Sequence, residues 1–386
     1  MFPGEHYVDI GGRMKIARVE ATYLKDVEIQ PPPFLPAPSR KSAIVIEVET
    51  DDGLTGYALG AEKGAPAVTL GYVNGALAGQ LRGRNPMLVE QIWNDLTRSV
   101  ENQTMMRAVG AIDVCLWDIR GKALGQPVWK LLGGARNPVR VYITFGATGP
   151  NTGHAYAPAY TREQLVEEAR YHVANGQRAL KAGVGRFDIA DVDADFARMA
   201  AVREAVGPGV ALMMDARSRL SLEDAIRLCK LCEPLDIRFF EDPVLMNDPR
   251  LLAELTHHTT IPLAANAEGA DRWAYRELLA LSAIQIAQMN AAKIGFTEAV
   301  AIAQMAHAFN RTVANGNGNG PHNAQFQAGM PNGSIVEYHY NIWMLYEAVF
   351  KSVVQPRDGW LHLPETPGMG LDVRPEVMKD YRAGPG

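Results

Sequence analysis

The chain has 386 residues, 47% of them hydrophobic and 21% charged, with a formal net charge of -5 and a pI near 6.0. That length suits one large domain or two moderate ones. The mild acidity excludes a broad nucleic-acid surface, which needs a basic excess, but is compatible with a small anionic substrate. Three cysteines, Cys115, Cys229 and Cys232, are too few and too odd in number for a disulfide framework. No apolar run reaches the ~20 residues needed to span a bilayer. The opening MFPGEHYVDIGGRMK lacks the basic-then-apolar order of a secretory leader, so the cytoplasm is the expected compartment.

In chain order, MKIARVEATYL and KSAIVIEVET carry the β-branched residues of strands, with a tight turn at Asp52-Gly53. Between them Pro31 to Pro38 form a stiff loop, because proline removes amide donors and fixes φ. Helical spacing dominates from Val68 to Leu132 and stops at Gly133-Gly134. The pattern then changes. VRVYITFG, RALKAGV, ALMMDA, RFFEDP, PLAANA, AIQIAQM, TVANG and SIVEYH are short apolar strands separated by helices of three or four turns. Such alternation gives parallel βα units, and about eight strands is the number that closes a barrel. An open doubly wound sheet would need a glycine-rich phosphate turn after an early strand; the G-N-G-N-G at 316–320 comes too late and has the wrong spacing. The C-x-x-C of Cys229 and Cys232 falls in the amphipathic stretch SLEDAIRLCKLCEPLD and reads as packing.

In such barrels the working groups stand at the C-terminal ends of the strands. Those ends carry Lys181, Asp215 with Arg217, Glu241 with Asp242, Asn266 and Glu268, Asn290, the 315–323 loop and Glu337. A single strand-end carboxylate reads most simply as a cap on the following helix. Asp215 and Glu241, each ending an apolar strand, together read as ligands of a hard cation such as Mg²⁺.

The ordered segments EVETDDGLTGYALGAE, AVGAIDVCLWDIRGKALGQPVWKLLGG, FFEDP, RWAYREL and SIVEY resemble the enolase superfamily, in its mandelate racemase/muconate lactonizing enzyme-like branch. The resemblance implies an α/β fold: a (β/α)₇β barrel over residues 138–345, with an α+β capping domain from residues 1–137 and a C-terminal segment, 346–386, that returns to it. It also implies Mg²⁺, a small-molecule carboxylate substrate and a homo-oligomer. The shared chemistry is abstraction of the proton next to a carboxylate, with the metal acting as Lewis acid and a side chain as base.

Carried over position by position, the resemblance makes Asp215 and Glu241 metal ligands. The third ligand position falls on Ala267, leaving Asn266 or Glu268 as alternatives, of which Glu268 better suits a dication. Lys181 matches the first lysine of a K-x-K pair whose second lysine is replaced by Gly183. Asn290 stands where an aspartate usually supports a histidine, and the histidine position falls near Asn315 or Gly316. His322, read as lying in a mobile Gly/Asn loop, is a substitute base. Glu337 matches the strand-eight glutamate that hydrogen-bonds the substrate carboxylate or acts as an electrophile. Arg217 could clamp a second carboxylate or a phosphate, or pair with Glu241 or Asp242. Tyr142 could supply a hydroxyl, or simply pack. The resulting expectation is a metal-dependent lyase, an acid-sugar dehydratase first. A racemase, epimerase or cycloisomerase of a hydroxy or sugar acid, and a non-catalytic metal- and ligand-binding descendant, are the alternatives.

Overall fold

A computed structural model describes residues 14–30, 39–60, 66–146, 161–185, 191–265, 271–316 and 318–384. Strands β1 (Ile16–Ile29), β2 (Ser39–Thr50) and β3 (Thr55–Gly60) form an antiparallel sheet. Its register sets Ile16 opposite Thr50 and Val45 opposite Leu59, and Ile16, Val19, Ile44, Val45 and Ile46 are buried in it. The turn between β2 and β3 needs the positive φ of Gly53, +89°.

The long helix α2 (Gln103–Ala123) packs against this sheet, and helix α1 (Val89–Thr97) packs against α2. Asn102 caps α2 by accepting from the Met105 amide at 3.0 Å. Gly110 sits in the interior of α2, where glycine costs roughly 1 kcal/mol relative to alanine. A Cβ there would lie 2.2 Å from the Lys293 carbonyl, so the glycine is what lets the cap helix lie directly on the barrel.

The barrel strands are β4 (Val139–Phe145), β5 (Ala179–Gly183), β6 (Ala211–Asp215), β7 (Ile237–Glu241), β8 (Leu263–Ala265), β9 (Ile286–Gln288), β10 (Thr312–Ala314) and β11 (Ile335–His339). They run parallel in the order β10-β9-β8-β7-β6-β5-β4-β11. The ring nearly closes between its two ends, where the Val313 amide donates to the Asn332 carbonyl at 2.9 Å and the Ser334 hydroxyl to the Val313 carbonyl at 2.7 Å. A helix follows each of β4 to β10: α3 (Arg162–Ala174), α4 (Val192–Val206), α5 (Leu222–Cys232), α6 (Pro249–Thr256), α7 (Arg272–Ala280), α8 (Phe296–Ala308) and α9 (Gly320–Gly329). This is the expected (β/α)₇β barrel under an α+β cap.

Tyr142, Ala179, Met213, Phe239, Ala264, Ala314 and Ile335 fill the barrel's interior as a cluster separate from the main core. The polar side chains therefore gather above a dry floor. After β11 come α10 (Tyr340–Val349) and β12 (Trp360–Leu361), which pairs with β4; β13 (Arg382–Ala383) then pairs with β1, carrying the chain's end back to the cap sheet. Cys229 and Cys232 lie buried and unbridged on α5, where burial pushes both thiols up to about 12. That is the packing role read from the sequence.

Candidate active site at the barrel mouth

Asp215 and Glu241 end neighbouring strands and stand side by side in the register. Asp242 follows, held in a left-handed turn (φ +47°) by a 2.7 Å bond to its carboxylate from the Asn247 amide. Ligand atoms of Asp215, Glu241 and Asp242 all lie within 4.8 Å of one another. The Arg217 backbone amide fixes Asp215 at 2.8 Å, and the Arg217 guanidinium stands 3.7 Å from the same carboxylate.

Lys181 projects from β5 into this ring and is fully buried. Its ammonium pairs directly with Glu241, lies 3.1 Å from Glu337 and 3.6 Å from Asp215, and reaches the Tyr142 hydroxyl at 3.5 Å. Burial pushes the ammonium down, but Glu241, Glu337, Tyr142 and Asp215 outweigh it and hold its pKa well above the usual lysine range. Lys181 is thus a fixed cation, not a free base. Gln288, at the end of β9, donates to Glu241 at 2.8 Å and to the Tyr142 hydroxyl at 3.1 Å. Tyr142 in turn donates to the Asn315 carbonyl at 2.9 Å, and its own ionisation is driven far up by burial and by Glu337.

Glu337 sits opposite Tyr142 on β11. It accepts from the Thr144 hydroxyl at 2.5 Å and the Gly318 amide at 2.8 Å. Burial pushes its carboxyl up; Lys181, His339, the Thr144 hydroxyl and the Gly318 amide overcome this and hold it at about 2. Glu241 goes the other way, raised by burial and by Asp215, Asp242 and Glu337, against the pull of Lys181. Four carboxylates line the mouth, with Lys181 and Arg217 ion-paired among them. An all-oxygen donor set of this kind fits a hard divalent cation.

The sequence matches the family descriptions in two blocks. Residues 24–133 match the mandelate racemase/muconate lactonizing enzyme N-terminal domain, and residues 164–377 match the enolase C-terminal domain-like family. The chain belongs to the enolase superfamily. Among its relatives, this superfamily member is 27% identical to an arabinonate dehydratase of Saccharolobus solfataricus over 88% of this chain and 90% of the relative. It is 29% identical to a D-galactonate dehydratase of Ralstonia pickettii, over 85% and 88%. The crystal structure of the 3,6-anhydro-D-galactonate cycloisomerase from Zobellia galactanivorans superimposes with a TM-score of 0.82 at 26% identity, covering 96% of this chain and all of the other.

Against the superfamily expectation, Lys181, Asp215, Glu241, Glu337, Arg217 and Tyr142 come together at the mouth. Asn266 and Glu268 lie outside the described residues. Asn290 is buried and spends its amide on the carbonyls of Gly316 (3.0 Å) and Gly318 (3.2 Å), so it shapes the 315–319 turn. His322 corrects the sequence reading: it is not in a mobile loop but in the first turn of α9, just after Pro321, fully buried. Its Nδ1 is 2.7 Å from the Tyr346 hydroxyl, its ring meets Tyr346 and Phe350 edge-on, and the Tyr57 backbone lies alongside. Burial pushes this imidazole down to about 4, and no charged group of the site acts on it. Proline at a helix's first positions was the available signal.

Gln288, Thr144 and His339 were missed as site residues, and Asp242, named at its strand end, was not read as a metal ligand. Gln288 and Thr144 each carry a polar side chain at the inward phase of an otherwise apolar strand. His339 repeats the phase of Glu337 two residues on.

Proposed function

We propose that this enolase-superfamily chain is a Mg²⁺-dependent acid-sugar dehydratase. The observation that carries the reading is the mouth itself: three clustered carboxylates, with Glu337 and Lys181 beside them, over an apolar floor. The names of the relatives, two of them sugar-acid dehydratases, support the reaction class. In this reading Asp215, Glu241 and Asp242, with Glu268 or Asn266, hold the cation, which when bound supplies Lewis-acid stabilisation of charge on the substrate carboxylate.

The chain's own groups do the rest. Gln288 and Lys181 both bind Oε2 of Glu241, leaving its Oε1 for the cation. Glu337, kept ionised, accepts from a substrate hydroxyl or shares a proton with the substrate carboxylate. Arg217 binds the anionic end of the substrate. The α-proton leaves to a base, its electron pair forms the enediolate, the β-hydroxyl departs as water with a proton from an acid, and the resulting enol tautomerises to a keto acid. Proton NMR of a panel of sugar acids in D₂O with Mg²⁺ tests this. Loss of the α-proton signal with a 3-deoxy-2-keto product is expected; a wild type that converts none of the panel sinks it.

The reading includes a cytoplasmic homo-oligomer. Leu245 and Met246 expose 55% and 89% of their surface next to each other, as an interface would require, and light scattering of the purified protein checks it. No described helix is long and apolar enough to cross a membrane.

A further inference from the structure

The two base positions expected from the resemblance hold Gly183 and, near Asn315 or Gly316, no histidine; Asn290 replaces the supporting aspartate, Lys181 is locked as a cation, and His322 is packed among aromatic rings with no charged group of the site acting on it. The proton-transfer group must come from elsewhere. On β11 Ile335 packs into the barrel interior while Tyr338 belongs to the main core outside it and stacks on Trp343 at 4.6 Å. Glu337 and His339 therefore share the inner phase, with His339 one layer nearer the mouth, level with Thr144. Its Nδ1 is buried and has no hydrogen-bond partner among the described residues. A buried imidazole nitrogen left unmatched calls for a ligand atom or a water.

Building on the dehydratase reading, we propose that His339 is the general base for the α-proton. As imidazolium it then returns that proton to the departing β-hydroxyl. The step balances: one proton moves from the α-carbon to the ring and on to the leaving oxygen, the C–H pair becomes the enediolate double bond, and the C–O pair leaves with water. One group serving both steps requires both bonds on one face of the substrate, so the elimination is syn.

The charged neighbours suit the task. Burial pushes the His339 ring down to about 4; Glu337 opposes this, while Arg217, Lys41 of cap strand β2 and Lys181 add to it. The imidazole is therefore neutral at pH 7 and ready to accept. A substrate carboxylate entering among those three cations brings the countercharge that makes the ring a stronger base.

The test compares wild type with His339→Ala and His339→Asn on the sugar-acid panel. The expectation is a kcat lower by about 10²–10⁴-fold with KM changed by less than about threefold, and partial recovery of His339→Ala by added imidazole. Wild-type turnover with variants that keep more than about a tenth of kcat overturns the assignment while leaving the dehydratase reading intact. A wild type inert on the whole panel overturns that reading and this inference with it. A readout without turnover is ¹⁵N NMR of histidine-labelled protein, with His339 assigned by its loss in His339→Asn. A neutral ring at pH 7 is expected; an imidazolium there overturns the proposal. Folding is checked in both variants by circular dichroism, and either folded variant suffices.

Discussion

The cap–barrel interface and the barrel mouth both bury charged side chains, and they treat them oppositely. At the interface Asp113 of α2 accepts from the Thr297 amide (2.9 Å) and the Thr297 hydroxyl (2.6 Å). Beside it, within the cap, Asp118 accepts from the Met369 and Tyr57 amides at 2.7 Å and 3.2 Å and pairs with Lys122 at 2.9 Å. Every carboxylate oxygen has a partner, as structural groups must when buried. At the mouth, by contrast, Gln288 Oε1 and His339 Nδ1 have no partner among the described residues. A closed network holds parts together, whereas an open one leaves bonding capacity for something the chain does not itself contain.

Removing the mouth's central cation should break that contrast most sharply. Lys181→Met leaves Glu241, Glu337 and Asp215 facing one another without it, and losing one member of such a buried set costs about 3–5 kcal/mol. Urea denaturation measures the loss, and millimolar Mg²⁺ should recover more stability in the variant than in wild type. A variant as stable as wild type would mean the mouth is already balanced, and the charge argument fails.

His322 sharpens the comparison through pH. Its ring has a folded pKa of about 4 against an ordinary value of 6.5. The unfolded chain therefore binds the extra proton between those values, and stability falls as pH falls. The contribution is complete above pH 6.5 and is lost by pH 4, roughly 3 kcal/mol in all. Subtracting the pH–stability curve of His322→Gln from that of wild type isolates it; a flat difference would put the ring in contact with solvent. Next in size, Asp113→Ala should cost about 1–3 kcal/mol by leaving the Thr297 donors unmet, with turnover unchanged. A collapse of kcat instead would make the cap contact part of the site.

The barrel was legible in the sequence because its strands are short, apolar and separated by helices of regular length. Asp215 and Glu241 were legible as positions for the same reason, since each ends such a strand. The Lys181–Glu241–Gln288–Tyr142 cluster was not. Its members come from four strands, and the chain does not announce which inward residues reach the same level; that depends on register and strand tilt. His339 was passed over because Glu337, two residues earlier, already satisfied the expectation for β11. The GNGNG run read as a loop because alternating glycine and asparagine favour positive φ. Only Asn319 and Gly318 adopt it among the described residues there, and Pro321 starts a helix immediately afterwards.

The smallest effect belongs to the pair that most resembled a redox motif. Cys229 and Cys232 are completely buried on the inner face of α5, with thiols pushed up to about 12 by burial, so neither offers a thiolate at neutral pH. Native protein should leave both unmodified by a thiol reagent such as DTNB and react only on unfolding. Cys232→Ala should lower stability by about 1 kcal/mol, the size expected for a small buried apolar group, and leave turnover untouched. Fast labelling of the native protein, or activity that follows the redox potential of the buffer, would move this helix from the closed class of buried groups to the open one.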